Sequence, residues 1–508
     1  PIALGSATSI SAGMLRTQLD MLLGEHGLLA ASATDAALRG RQAEFEAAAQ
    51  ALDANSVAVA AAIGAIYGPD AQAAFLLLWR KHIGFFVDYT TGLAKGDEAQ
   101  QAKALAALSQ YAEDFGAFLQ AANPNLPKAA VADLLRQHAQ TLIAVIKTQA
   151  VTMPQRSGDQ MKAYPALAKA YAHMDMAAAA LAAGIAKQFP DRFPGDANDV
   201  GARLRSALNL ALGEHAYLLA KSAAAALAAR DIEYEAAFAA LDQNSQTLAA
   251  AVGSIYGADA GKAFLPLWRK HIGFFVDYTL ALVQKDSKAQ QTALDNLTAY
   301  ASDFGAFLHS ANPNLPVAAV TELVKMHAVT TLNAIDAAAS GKQIEFYTAV
   351  RAAYAHMTMI ANPLADAIIV QFPEKFGEAN TTSTPTMTKD MTDTTAMTGT
   401  TAMTGTTAMT NPEASNTPVS IPVVIHTFMF SPARLEVPVG ATVIWTNQDA
   451  IEHTVTAGAP ENKTDLFDSG LFNQGQQFSF TFTKAGEYTY FCQRHPSMRG
   501  VIIVTPTK

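Results

Sequence analysis

The sequence predicts a multidomain chain of the α plus β class, with two tandem all-helical bundles, then a flexible linker, then an all-β sandwich. Three observations predict it. The first 378 of the 508 residues contain one unit written twice. Within each copy apolar residues recur at spacings of three and four, the helical period. After Pro418 the spacing changes to two, the period of a strand with one buried face.

The duplication is explicit. FLLLWRKHIGFFVDYT at 75–90 returns as FLPLWRKHIGFFVDYT at 264–279, with one difference, Leu77 against Pro266, and an offset of 189 residues. The same offset relates Gly24-Glu25-His26 to Gly213-Glu214-His215, Asp114-Phe115-Gly116 to Asp303-Phe304-Gly305, and 122–127 to 311–316. The copies span about 11–195 and 200–378, and are candidates to pack on each other as a pseudo-dimer. Each is rich in Ala and Leu, strong helix formers. Stop and start signals divide the first copy into helices at 12–38, 40–67, 70–94, 97–121, 128–150 and 159–187. Gly96-Asp97 ends one helix and caps the next, Asn123-Pro124-Asn125-Leu126-Pro127 does the same, and so does Gly68-Pro69-Asp70. The polar run 53–56 is expected to break the second helix. The second copy should repeat the set, with kinks where Pro266 and Pro363 interrupt the pattern.

From Thr381 to Pro418 the composition shifts to Thr, Met, Ser, Gly and Ala, with Ala-Met-Thr-Gly-Thr-Thr repeated. So few large apolar side chains cannot form a core, and 379–418 reads as a flexible linker. Met387, Met391, Met397, Met403 and Met409 also offer soft thioethers to Cu(I), so both a passive tether and a copper-catching tether stay open.

Beyond the linker, 419–508 alternates at 423–430, 441–447, 477–482 and 487–491, with Gly or Pro between the runs. That pattern is a small β-sandwich. Within it Cys492-Gln-Arg-His495-Pro-Ser-Met498 follows a strand, and His453 opens another strand upstream. Two imidazoles and a thiolate in a trigonal plane, with a distant thioether, form the ligand set of a blue, or type 1, copper site. The expected ligands are therefore His453, Cys492, His495 and Met498. His426, on the first strand, has no partner in the motif and reads as a surface or structural residue.

This domain resembles the cupredoxins, closest to the plastocyanin, amicyanin and pseudoazurin group. Besides the ligands, the resemblance rests on Phe428-Met-Phe-Ser-Pro432, Val443-Ile-Trp-Thr-Asn447, His453-Thr-Val455, Phe467-Asp-Ser-Gly470 and Gly486-Glu-Tyr488. The short Cys-x2-His-x2-Met loop is most similar to the amicyanin arrangement. Thr454 departs from relatives that carry Asn after the first histidine, so the brace on the thiolate is expected to differ. The resemblance implies one-electron transfer through the exposed edge of His495 beside an apolar docking patch. It also implies a redox partner protein or a small-molecule donor or acceptor, and a periplasmic or secreted location.

The helical copies carry a second constellation. His26, His82, His138 and His173 lie near the middle of four helices, and His215, His271, His327 and His356 repeat them. In an up-and-down bundle the helix midpoints share one level, so inward imidazoles there converge. A ferritin-type iron site needs Glu-x-x-His, but Leu23, Trp79, Leu135 and Ala170 stand three residues before these histidines. Copper or zinc suits an all-imidazole site, while one haem per copy stays open. Met176 and Met359, three residues after His173 and His356, are further candidate ligands. Glu25, Asp88 and Asp114, with Glu214, Asp277 and Asp303, are candidates to accept from the ring N–H groups. Trp79 shares a face with His82 as a wall. His309 replaces Gln120 and is left out.

Charge and composition exclude other classes. A formal net charge of −9, with 35 basic residues spread along the chain, gives no basic stripe for nucleic acid. Purely apolar stretches fall short of the roughly 20 residues that span a bilayer, so no transmembrane segment is expected. Cys492 is the only cysteine, so no intrachain disulfide forms. Three functions remain in view: an electron-transfer protein, a copper-dependent redox enzyme that uses the helical sites, and a copper store.

Overall fold

The computed structural model describes residues 10–150, 157–376, 420–426, 429–431, 434–447, 452–459, 462–473, 475–493 and 498–506. The chain divides into two compact units, Pro1–Ser383 and Thr384–Lys508. The linker methionines and His495 lie outside the described residues, as does the side chain of His426.

The first unit is helical. Copy one contains α1 (Ala12–Leu38), α2 (Gln42–Tyr67), α3 (Pro69–Lys95), α4 (Glu98–Ala122), α5 (Lys128–Ala150) and α6 (Ser157–Gln188). Copy two repeats them as α7 (Val200–Leu227), α8 (Asp231–Tyr256), α9 (Ala258–Gln284), α10 (Ser287–Ala311), α11 (Val317–Ala339) and α12 (Gln343–Gln371), with a short α13 (Pro373–Phe376) after them. The punctuation works as its chemistry dictates. Asp97 accepts the Gln100 N–H at 2.9 Å, after Gly96 has turned the chain at φ 68°. Asn123 ends α4 while its side chain accepts from Asn125 N–H and donates to Gly184 O. Asn312 repeats the cap and the bond to Asn314 N–H.

One expectation about a helix break is corrected. α2 runs unbroken through 53–56, because Asn55 donates to Leu22 O and Glu25 Oε2 while Ser56 bonds back to Leu52 O. Asn55 and Ser56 are fully buried, Asn55 against α1, while Asp53 is exposed and pairs with Arg80 of α3. α9 and α12 continue as single helices through Pro266 and Pro363, and α6 does so through Pro165.

α1 and α7 are the central helices, buried on nearly every face and packed against each other. The repeated Gly-Glu-His motif explains itself there. A Cβ on Gly24 would stand 2.6 Å from Tyr354 Oη, and one on Gly213 would stand 2.6 Å from Tyr354 Cε2. Glycine at both positions admits Tyr171 and Tyr354, whose hydroxyls meet at 2.9 Å between the copies. Glu25 joins Asn55 to Arg351 of the other copy, and Lys221 of α7 bonds Glu44 of α2. One apolar core runs through both copies, and a second fills the far end of copy one. Among the described residues one helix, α2, is long and apolar enough to cross a membrane by length and composition, and 44% of its most apolar window is buried in the fold.

The second unit is a β-sandwich. One sheet has the order β2 (Met429–Ser431), β1 (Ser420–His426), β4 (Thr442–Asn447), β7 (Gln477–Thr481). The other runs β3 (Arg434–Pro438), β9 (Arg499–Thr505), β8 (Gly486–Phe491), β5 (Thr456–Ala459), β6 (Asn462–Asp468). β1 pairs with β4 and β3 with β9 in parallel, and the remaining pairs are antiparallel. Alternation in β4 buries Val443, Trp445 and Asn447. Trp445 packs edge-on against Tyr490 at 5.3 Å, with Phe467, Phe478 and Phe482 around it.

Candidate metal centres

In the β domain the chain brings three of the four expected ligands to one end of the sandwich. His453 is held just before β5 by a two-way bridge, its N–H to Phe472 O at 3.3 Å and Phe472 N–H to its own carbonyl at 3.0 Å. Asn447, at the end of β4, donates to the same Phe472 carbonyl. Cys492 follows β8 directly, and its N–H donates to Met498 O at 3.0 Å, closing the loop before β9 begins. His453 and Cys492 are fully buried and Met498 is 1% exposed. His495 lies on the part of that loop outside the described residues.

Cys492 Sγ stands 3.7 Å from His453 Nδ1. Metal–sulfur and metal–imidazole arms of about 2.3 and 2.0 Å, set about 120° apart, end about 3.7 Å from each other. The separation is thus the one a trigonal metal requires. The Thr454 departure also has its account. Thr454 N–H donates to Cys492 Sγ at 3.3 Å, so the main chain braces the sulfur whatever side chain stands there. Thr454 Oγ1 accepts the Gln493 N–H at 2.7 Å and pairs with Thr456 Oγ1, tying the two ligand segments together.

In the helical unit three of each four histidines converge. His26 of α1, His82 of α3 and His138 of α5 lie with ligand atoms all within 4.8 Å of one another, and His215, His271 and His327 repeat the group. The Nε2 atoms of His26 and His82 are 3.2 Å apart, as are those of His215 and His271. Two metal–nitrogen arms of about 2.0 Å whose ends lie 3.2 Å apart subtend about 106°, close to tetrahedral. The fourth histidine stands aside. His173 Nε2 donates to Leu134 O at 2.9 Å and His356 Nε2 to Leu323 O at 3.0 Å. The His173 ring still stacks on His138 at 6.5 Å.

The chemistry of these groups favours a cation. His26 Nδ1, His82 Nδ1 and both ring nitrogens of His138 are buried without a hydrogen-bond partner, as are His215 Nδ1, His271 Nδ1 and His327 Nε2. An unpaired buried polar atom is costly, and an ion held by the Nε2 atoms of His26 and His82, or of His215 and His271, would also satisfy one ring nitrogen of His138, or Nε2 of His327. Burial drives every ring toward its neutral form. His82 is lowered to about 4 by desolvation, and His138 to about 3 by desolvation and then by His82 and His173. His26, His215, His271 and His327 are driven well below the usual value by burial and then by neighbouring histidines, His82 and His138 for His26, and His215 and His356 for His327. At neutral pH each therefore offers a lone pair.

The walls are aromatic. Trp79 lies 4.9 Å from His26 and 4.6 Å from His82, and Tyr111 stacks on His82 at 5.3 Å. Trp268 and Tyr300 repeat the arrangement. Tyr111 was missed in the sequence, although it recurs as Tyr300 at the 189 offset. Met176 is 54% exposed and Met359 is half-buried; the methionines turned inward are Met174 and Met357, at 4% and 1% exposure. His173 sits at the margin of the buried stripe of α6, so the interior lies toward its next neighbour and not one turn on. Glu25 and Glu214 are engaged by Asn55, Arg351 and Asn244, and Asp88, Asp114, Asp277 and Asp303 are exposed, so none braces an imidazole. His309 bonds Leu315 O at the surface, away from both groups.

Comparison with known proteins bears on the β domain. Residues 418–505 match the copper binding proteins of the plastocyanin/azurin family. Amicyanin from Paracoccus denitrificans is 36% identical over 17% of this chain and 65% of its own length. Plastocyanin from Scenedesmus fuscus is 31% identical over 15% of this chain and 86% of its own. The chain thus spans just under two thirds of the amicyanin and most of the plastocyanin. Among solved structures, a purple cupredoxin from Nitrosopumilus maritimus is 32% identical over 17% of this chain and 99% of that one, with a TM-score of 0.16.

Proposed function

Since this chain belongs, through its C-terminal domain, to the plastocyanin/azurin family of copper-binding proteins, we propose that it is an extracytoplasmic electron-transfer protein with further metal centres in its helical unit. The observation that carries the electron-transfer reading is the 3.7 Å approach of Cys492 Sγ to His453 Nδ1, with Met498 buried beside them. His453, Cys492, His495 and Met498 would hold the copper. Bound there, copper would supply a one-electron couple whose potential its protein ligands tune.

The protein's own contribution is rigidity. The Phe472 bridge and the Thr454 amide fix His453 and the sulfur before any metal arrives, so little rearrangement accompanies a change of charge. Leu471, 55% exposed next to Phe472, offers an apolar contact for a redox partner. In the helical unit His26, His82 and His138, and in copy two His215, His271 and His327, would hold copper or zinc. His173 and His356 act as positioning residues on α5 and α11, through their bonds to Leu134 O and Leu323 O. The two copies pack as a pseudo-dimer through α1 and α7, which explains why Arg351 of one copy serves Glu25 of the other.

The test is spectroscopic. Copper-loaded full chain should absorb strongly in the visible through sulfur-to-copper charge transfer, and Cys492→Ser should remove that band while the protein stays folded. A Cys492→Ser protein that kept the band would overturn the assignment.

A further inference from the structure

The second copy holds a feature that electron transfer leaves unused. Its six helices enclose a cavity of about 120 Å³ that runs from the level of His271 and His327 toward the bundle end formed by the α8–α9 and α10–α11 turns. No charged side chain lines it, and Phe264, Phe304, Leu315 and Leu364 make most of its wall apolar. Near the turns its lining is half-buried, at Ile255, Tyr256 and Ala311, which marks the mouth. A dry apolar cavity of about 150 Å³ accepts benzene or xenon, so this one suits a molecule slightly smaller than benzene.

The inner end is different in kind. Trp268 Nε1, Tyr300 Oη and His327 Nε2 all belong to lining residues, are at least nine-tenths buried, and have no hydrogen-bond partner. The indole and the phenol are donors, so an occupant with one acceptor atom would satisfy them. His327 belongs to the three-histidine group, and the fourth histidine, His356, has its Nε2 committed to Leu323 O. Three protein ligands with the fourth position left free is the pattern of a metal site that admits an outside ligand. A charged molecule would lose its hydration without compensation here. In copy one the corresponding side chains pack into a single cluster with Phe193, which is 1% exposed, whereas its counterpart Phe376 is half-buried and does not line the cavity.

We infer that the cavity of the second copy binds a small uncharged molecule, apolar over most of its length, whose single acceptor atom lies between Tyr300, Trp268 and the open position of the His215, His271 and His327 centre. This rests on the metal reading above, so the test separates the two. Full-length Cys492→Ser protein removes the C-terminal band, and xenon serves as the probe of the cavity in the metal-free form. Xenon should bind between Phe264, Phe304 and Leu364, and Leu364→Trp should displace it without loss of helical circular dichroism. Ala260→Leu, at the mouth, is the second variant and should slow xenon exchange at least tenfold. With the helical sites loaded with Cu(I), carbon monoxide should give an infrared band that Leu364→Trp shifts or removes while copper content stays constant. Absence of xenon from the folded protein overturns the inference, as does a carbonyl band unchanged in both variants. A protein that binds xenon but takes up no copper in its helical unit overturns the metal reading, and with it the placing of the ligand on a metal.

Discussion

The two regions of this chain assemble their candidate ligands by opposite routes. In the β domain Cys492 and Met498 come from one short loop and His453 from a bridge beside it, so local geometry does most of the work. In the helical unit each histidine comes from a different helix, and only the packing of α1, α3 and α5, or of α7, α9 and α11, brings them together. The two sites are therefore vulnerable in different ways. Loss of a loop ligand should destroy a spectrum and spare the fold, whereas loss of a bundle ligand should cost both metal and stability.

The sharpest way to break that contrast is at the metal. His82→Ala with His138→Ala should remove the centre of copy one, leave that of copy two, and lower the melting temperature of the loaded protein by more than Cys492→Ser does. Metal analysis with calorimetry reads both, and equal melting temperatures in the two proteins would erase the distinction.

Acid gives the next largest effect. His82 and His138 titrate in the folded protein at about 4 and about 3, below the unfolded value near 6.5. The unfolded chain then binds more protons than the folded one as pH falls below 6.5. Stability of the metal-free helical unit should therefore hold above pH 6.5 and decline as pH drops toward 4 and 3, by up to about 1.4 kcal/mol per pH unit for each such histidine. Denaturant titration followed by helical circular dichroism checks it, and a flat profile between pH 6.5 and 4 would contradict the buried neutral imidazoles.

Two smaller changes sharpen the comparison. Met498→Leu should keep the copper and raise the potential, because the weak axial donor that favours Cu(II) is lost. A potentiometric titration that showed a fall would contradict the axial role. In the bundle, Lys285 occupies at φ 56° the left-handed position that Gly96 fills in copy one. Lys285→Gly should stabilise the metal-free protein by about 1 kcal/mol, since a side chain is strained in that conformation.

Much of this was legible in the sequence. Helices α1 to α6 fall within a few residues of where spacing and caps placed them, because Gly96-Asp97 and Asn123-Pro124 act locally. The cupredoxin resemblance likewise needed only the motif and its strand context. What stayed hidden depends on tertiary packing. Asn55 and Ser56 read as a break because their partners lie on α1 and one turn back in α2, and Met176 read as inward because helical period does not say which edge of a stripe faces the core. The strands β3, β5, β6 and β9 lacked clear alternation or were short, and the parallel pairing of β1 with β4 has no local signature. The mid-helix rule found eight histidines, yet only packing separates the three that converge from the one that bonds a carbonyl.

We expect a metal centre in each helical copy besides the one in the C-terminal domain. Copper stoichiometry of the full chain, measured after loading and exhaustive dialysis in wild type and in Cys492→Ser, tests it most directly. About three coppers per chain are expected in wild type and about two, without the intense visible band, in Cys492→Ser, one for each three-histidine group. One copper in wild type and none in the variant would show that the helical histidines only pack.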